Sequence, residues 1–190
     1  KFRIVMRIAV DVDGVLADLA GMIIKIYHEE TGVKLEREAI TEWEFWHRLS
    51  MTRQQFMQMI VKAWSRWAEI QPIEDDMAED VKKLHSFGEV DVLTQRPAET
   101  IDAVKKWLRH HGVPYRMFTW VPLKSSKANF VYDVYIDDSP RVAEQLQKTE
   151  RLLLVYDQPW NREVAQRKNI IRVRCLDEAV KLLEDGVWSV

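Results

Sequence analysis

The sequence is short of several things, and each shortage excludes a class of protein. It has one cysteine, Cys175, among 190 residues. No internal disulfide can form, and a reducing cytoplasm is the expected setting. No apolar run is long enough to span a bilayer and no signal segment is visible, so no membrane association is expected. Neither sign of charge dominates, since 28 Lys and Arg face 30 Asp and Glu for a net −2. That balance argues against bulk nucleic-acid binding, although the end of a polynucleotide could still be a substrate. The five histidines, His28, His47, His85, His110 and His111, lack metal-ligand spacing. There is no internal repeat and no low-complexity tract.

What is present is a chain of one-domain length with enough apolar residues, 47%, for a sizeable core. Short apolar runs recur: IVMRIAVDV at the start, then residues 89–94, 116–121, 131–137, 151–157 and 170–173. The first is too apolar to be half exposed and predicts a strand inside a parallel sheet. Helix-like segments alternate with these runs over residues 97–111, 139–148, 161–168 and 176–184. Pro97 lies near the start of the first and Gly112 just past its end. Ser139 and Pro140 supply an N-cap and a first helical residue for the second. Strands alternating with helices predict an α/β fold with a doubly wound, Rossmann-like parallel sheet.

Residues 19–74 break that alternation. DLAGMIIKIYHEETG and TRQQFMQMIVKAWSRWAEI carry apolar residues at three- and four-residue spacing and contain no convincing strand. The segment is too long for an ordinary connection. It is expected to be a helical cap inserted after the first strand, with residues 1–18 and 75–190 forming the core.

In a parallel α/β sheet, ligands bind beyond the carboxyl ends of the strands. The polar residues expected there are Asp11 and Asp13 in DVDG, Thr94 in LTQRP, and Asp137 and Asp138 in IDDSP. Lys127 stands ten residues before Asp137. Paired acids at the end of a buried strand repel and are costly to desolvate. A hard cation such as Mg²⁺ offsets that cost, typically with one or two carboxylates plus waters and substrate phosphate. A hydroxyl, a lysine and the start of the helix after Pro97 suit the anion. Lys127 competes with Lys124 for this role, and the ten-residue spacing favours Lys127. At least one of Asp137 and Asp138 is expected to be a metal ligand, the choice between them staying open.

These motifs, in this order, resemble the haloacid dehalogenase-like (HAD) hydrolases of the phosphatase branch, over residues 11–138. The resemblance implies Asp11 as nucleophile and Asp13 as the acid that protonates the leaving group and then activates water. It implies Thr94 and Lys127 as phosphoryl-oxygen contacts. It also implies Mg²⁺ held by Asp11, the Asp13 backbone carbonyl and Asp137 or Asp138. DVDGVLAD, the helical insertion that follows it, and the late YDQPWNR are most similar to the 5′(3′)-deoxyribonucleotidases. That similarity implies a Mg²⁺-dependent phosphomonoesterase acting through an aspartyl phosphate on nucleoside monophosphates, with a homodimer allowed for. TQRP departs from that group, where a small residue usually follows the threonine, and is closer to the TxRP of other phosphatases, polynucleotide 3′-phosphatases among them. Gln95 and Arg96 thus become substrate-contact candidates, Arg96 toward a second phosphate although a loop position would expose it. The alternatives are another small phosphorylated metabolite or a polynucleotide 3′-phosphate end as substrate, and, in another class, a non-catalytic phosphate-binding module. The second acid argues against the last.

Eight tryptophans are many for this length, and four lie between residues 43 and 67. Most of that cluster, including one of Trp64 and Trp67, is expected to form the core of the inserted segment. Phe45 and Trp46, in a less regular stretch, are the candidates for stacking on a nucleobase.

Overall fold

A computed structural model describes residues 5–187. Its six strands are β1 (Met6–Val10), β2 (Gly88–Gln95), β3 (Phe118–Val121), β4 (Val134–Asp137), β5 (Leu152–Tyr156) and β6 (Ile170–Val173). All pair in parallel in the order β3-β2-β1-β4-β5-β6. The order reverses between β1 and β4, and a crevice opens there at the carboxyl ends of the strands. The helices are α1 (Leu19–Thr31), α2 (Arg53–Ser65), α3 (Met77–Leu84), α4 (Ile101–His110), α5 (Pro140–Leu146) and α6 (Leu176–Glu184).

Apolar side chains cover both sheet faces, as expected for central parallel strands. Ile8, Val10, Val90, Val92, Val134 and Ile136 join one core with α3, α4 and α6. Ala9, Leu93, Tyr135, Leu153 and Val155 meet α5 on the other face. The insertion belongs to the first core through Ile23 and Ile26 of α1 and Phe56, Met59 and Trp64 of α2. Trp107 of α4 ties it down. Its indole N–H donates to the Ile70 carbonyl at 2.8 Å, and its ring meets Trp64 edge to face at 6.3 Å. Such aromatic pairs add about 0.5–1.5 kcal/mol beyond their buried area.

Thr52 and Gln55 form a reciprocal capping box that starts α2. Ser139 caps α5 through the Arg141 N–H, with Pro140 at the first helical position. The helix after Pro97 starts with a 3₁₀ turn, Ala98–Thr100, and becomes α-helical at Ile101.

The helix expected over residues 161–168 is absent. Past the 3₁₀ turn Pro159–Asn161 that stretch is irregular. The Arg172 guanidinium takes the Asn161 and Val164 carbonyls, and the Asn161 amide donates to the carbonyls of Asp138 and Tyr156. These long-range bonds outweigh a weak local helical pattern.

Candidate active site

Strand geometry gathers the candidate residues. β1 ends at Val10, and the Asp11 N–H still donates to Ile136 O of β4 at 3.0 Å, which holds Asp11 at the β1–β4 seam. Gly14 then turns the chain at φ +78°. A Cβ there would lie 2.0 Å from Asp138 Oδ2, so only glycine lets DVDG approach the second acidic pair. Leu16 and Ala17 both return N–H bonds to Val12 O, which closes the turn and leads into α1.

Asp11, Asp137 and Asp138 are all buried, and one carboxylate oxygen from each lies within 4.8 Å of the others. Lys127, 4% exposed, inserts its ammonium at 2.9 Å from Asp11 Oδ2 and 2.6 Å from Asp137 Oδ2. Lys127 is therefore the lysine that joins the acids, and Lys124 is exposed. Burial alone would lower the Lys127 pKa; Asp11 and Asp137 outweigh it and raise it above its ordinary value.

The two neighbouring acids differ. Asp137 also accepts from the Ser139 N–H at 2.9 Å, so both its oxygens are engaged. Asp138 Oδ2 accepts from the Trp160 indole at 2.9 Å, whereas its Oδ1 is buried with no hydrogen-bond partner. Burial, then the nearby Asp11 charge, raises both pKa values, that of Asp137 to about 6 despite Lys127 and that of Asp138 well above the carboxylate range. An orphaned oxygen amid three crowded oxygen donors fits a hard divalent cation such as Mg²⁺. Asp138 is the better placed of the pair to bind it directly.

Asp13 stands to one side of this cluster. Its Oδ1 accepts from the Trp64 indole at 3.2 Å and its Oδ2 from the Arg96 guanidinium. Burial raises the Asp13 pKa despite Arg96, and Asp11 adds to the rise. Thr94 is fully buried on β2 and accepts from Arg96 Nε at 3.0 Å. Arg96 corrects an expectation: it is 1% exposed, not on an exposed loop, because its charge is met by Asp13 and its plane lies 4.7 Å from the Trp64 ring.

One cleft is lined by Asp11, Asp13, Lys127 and Asp138 and also by residues of the insertion, Phe45 and Trp46 among them. Gln95 lines it too, but its amide donates to Pro122 O and Ser125 O and braces the loop that leads to Lys127. Trp46 is 5% exposed and stacks on Phe56 at 5.0 Å, while the half-buried Phe45 meets Phe56 edge to face. One face of Trp46 is thus already covered.

Sequence reasoning gave Trp64 at most a place in the core of the insertion, and read Gln158, Trp160 and Asn161 only as part of YDQPWNR, with no site role for any of the four. Gln158 donates to Gly14 O at 2.8 Å and Asn161 to Asp138 O at 2.9 Å, so QPWN after β5 holds both acidic loops. The available signal was a cluster of amide and indole donors just beyond a strand end.

Comparison with known proteins decides the family. The profile of the family described as 5′ nucleotidase, deoxy (Pyrimidine), cytosolic type C protein matches residues 3–184. The chain belongs to that family. A protein of Oceanobacillus iheyensis with a provisional nucleotidase name is 26% identical over 179 residues, covering 88% of this chain and 94% of its own length. A structure provisionally named as a phosphoglycolate phosphatase, from Lactobacillus plantarum, superposes with TM-score 0.63 at 12% identity, over 94% of this chain and 99% of that one. A magnesium-bound HAD hydrolase from Bacillus subtilis gives 0.57 at 14%, over 95% and 99%. At such identities the two structures speak for a shared HAD fold. This nucleotidase-family chain is accordingly a phosphoric monoester hydrolase, and among its described residues no helix is long and apolar enough to cross a membrane.

Proposed function

We propose that this nucleotidase-family chain is a Mg²⁺-dependent phosphomonoesterase that hydrolyses nucleoside monophosphates through a phosphorylated Asp11. The observation that carries this reading is the cluster of Asp11, Lys127, Asp137 and Asp138 around an unpartnered Asp138 oxygen at the strand-order reversal. Asp11, Asp138 and the Asp13 carbonyl would hold the ion, with Asp137 behind them as the partner of Lys127. When bound, Mg²⁺ would neutralise charge on these carboxylates and on the phosphoryl oxygens.

Lys127 and the Thr94 hydroxyl hold the phosphoryl group, and an Asp11 oxygen attacks phosphorus. An O–P bond forms at Asp11 as the bond to the leaving oxygen breaks, and that oxygen takes the Asp13 proton. Asp13, now a carboxylate, removes a proton from water, whose oxygen attacks the same phosphorus. The Asp11–phosphorus bond breaks, inorganic phosphate leaves, and both acids return to their starting states. The pairing of Asp13 with Trp64, rather than with Lys127, suits an acid that works apart from the nucleophile.

Residues 19–74 act as a cap over this site. Phe45 and Trp46 give the cleft an aromatic wall for a base, and Gln95 borders the phosphate end. The test is phosphate release with Mg²⁺ from deoxy- and ribonucleoside 5′- and 3′-monophosphates, sugar phosphates and a 3′-phosphorylated oligonucleotide, with Asp11→Asn alongside. Deoxynucleotide turnover that vanishes in the variant supports the reading. Turnover of other phosphates alone overturns the substrate, and no turnover of any overturns the catalytic reading.

A further inference from the structure

We infer that Arg96 is a positioning residue that orients the Asp13 carboxylate and makes that orientation depend on the inserted helical segment; this rests on Asp13 serving as the proton donor and acceptor proposed above. Arg96 joins three groups. Its Nη2 donates to Asp13 Oδ2, its Nε donates to Thr94 Oγ1 at 3.0 Å, and its plane lies 4.7 Å from the Trp64 ring centroid. Trp64, at the end of α2 in the insertion, itself donates to the other Asp13 oxygen at 3.2 Å. Both Asp13 oxygens are thereby fixed, one by the residue just past β2 and one by the insertion. Asp13 lies beyond the end of β1, immediately before the tight turn at Gly14, with only an isolated bridge to Ala17 beside it. Without the two donors its carboxylate is free to rotate away from the leaving oxygen.

The position of Arg96 is itself secured. Its backbone carbonyl accepts from the Trp120 indole at 2.9 Å, and it is 1% exposed. A lysine could reach one Asp13 oxygen but has no planar fork to meet Asp13 and Thr94 together. The guanidinium keeps one nitrogen, Nη1, buried without a partner. That loose end gives the competing possibility of a direct substrate contact, and the kinetic split between KM and kcat separates the two.

The experiment compares wild type with R96A, R96K and W64F, using the best substrate of the panel, and follows the Trp64 indole N–H resonance without substrate. A displacement of about 1 Å at a reacting group costs on the order of 100-fold. R96A is expected to lose about that much in kcat with KM within about threefold of wild type. Free guanidinium at sub-denaturing concentration should restore part of the loss in R96A and none in Asp13→Asn. R96K should fall between R96A and wild type, and W64F should lower kcat by about 5–10-fold, consistent with one lost hydrogen bond. The Trp64 indole resonance should shift in R96A and in Asp13→Asn, a readout independent of turnover. A raised KM with kcat retained would overturn the inference in favour of substrate binding. Lost kcat with neither guanidinium rescue nor an indole shift would overturn it in favour of a purely structural role. If wild type turns over no phosphomonoester, the phosphatase reading falls, whereas unchanged kcat in R96A against an active wild type sinks the positioning role alone.

Discussion

Two buried acids of the same sheet, one within β2 and one just past β4 with β1 between them, are treated in opposite ways. Asp91, in β2, is 1% exposed. It accepts from Arg116 through both oxygens, at 3.0 and 2.7 Å, from the Met117 N–H at 3.1 Å and from the Tyr132 hydroxyl at 2.9 Å. Burial alone would raise its pKa; Arg116 and Tyr132 outweigh burial and hold it below the ordinary value. Asp138, equally buried, has one indole donor, one bare oxygen and two acidic neighbours, and its pKa is raised. An acid that serves the fold brings its own donors, whereas an acid left short of donors is kept for something that arrives later. The raised values are what a bound cation would relieve.

The largest effect expected from this contrast is on chemistry. Asp11→Asn should lower kcat at least about 10⁴-fold, as removal of a nucleophile does, with an unchanged fold by circular dichroism. Retained turnover would remove Asp11 from the reaction and with it the functional meaning of the cluster. Next comes an exchange of effects between the two acids. Asp138→Asn should raise the Mg²⁺ needed for half-maximal activity by more than about 100-fold, beyond what loss of a supporting group causes, while raising Tm in chelator. Asp91→Asn should leave kcat near wild type and destabilise the fold by about 1–3 kcal/mol, the cost of stripping partners from a buried network. Denaturant titration and Mg²⁺ titration of both variants would expose any failure of this crossing.

The same contrast has a pH signature. Asp137 has a folded pKa near 6 against an ordinary 3.8, so between those values the native state holds more protons than the unfolded one. Stability from this group is therefore lost as pH rises from about 4 to about 6. Asp91, with its pKa lowered, acts in the reverse sense: its contribution is present above its ordinary pKa and disappears as pH falls through the depressed one. Melting curves in chelator should thus show Tm falling across that upper window, at about 2–4 °C for each kcal/mol in a protein of this size. Added Mg²⁺ should flatten the fall, and a Tm that climbs steadily across the window without metal would contradict the raised value.

How much of this was legible in the sequence follows the same division. Asp11, Asp13, Thr94 and Lys127 were legible as candidates because each sits at or just beyond the end of an apolar run, or at a fixed spacing from one. The proposed preference for Asp138 over Asp137 was not legible, since it rests on Ser139 and Lys127 both reaching one carboxylate and Trp160 the other. The residues around Arg96 read as a loop, which predicts exposure; its burial follows from partners 83 residues away at Asp13 and across the insertion at Trp64. The helix expected over residues 161–168 failed for a similar reason, with Asn161 spent on long-range carbonyls. Local pattern recovered the sheet and most helices, and missed interactions that only the sheet order creates.

The smallest expected effect lies in the aromatic wall, where fold and function are hardest to separate. Phe45 is half-buried and touches Phe56 by its edge, so much of its ring remains available to the cleft. Trp46 is 5% exposed, with Phe56 stacked on one face and its indole nitrogen buried without a partner. Phe45→Ala should therefore raise KM for a nucleotide about 5–10-fold with little change in kcat, in line with the loss of about 1–3 kcal/mol of base stacking at most. KM for a phosphorylated sugar that carries no base should not move. Trp46→Phe should cost stability first, measurable as a lower Tm, and shift the nucleotide KM by about threefold or less, because a buried ring contributes chiefly through packing. Equal KM shifts for nucleotide and sugar phosphate in Phe45→Ala would mean that the ring shapes the cleft without touching a base. The aromatic wall would then join Asp91 among the features that serve the fold.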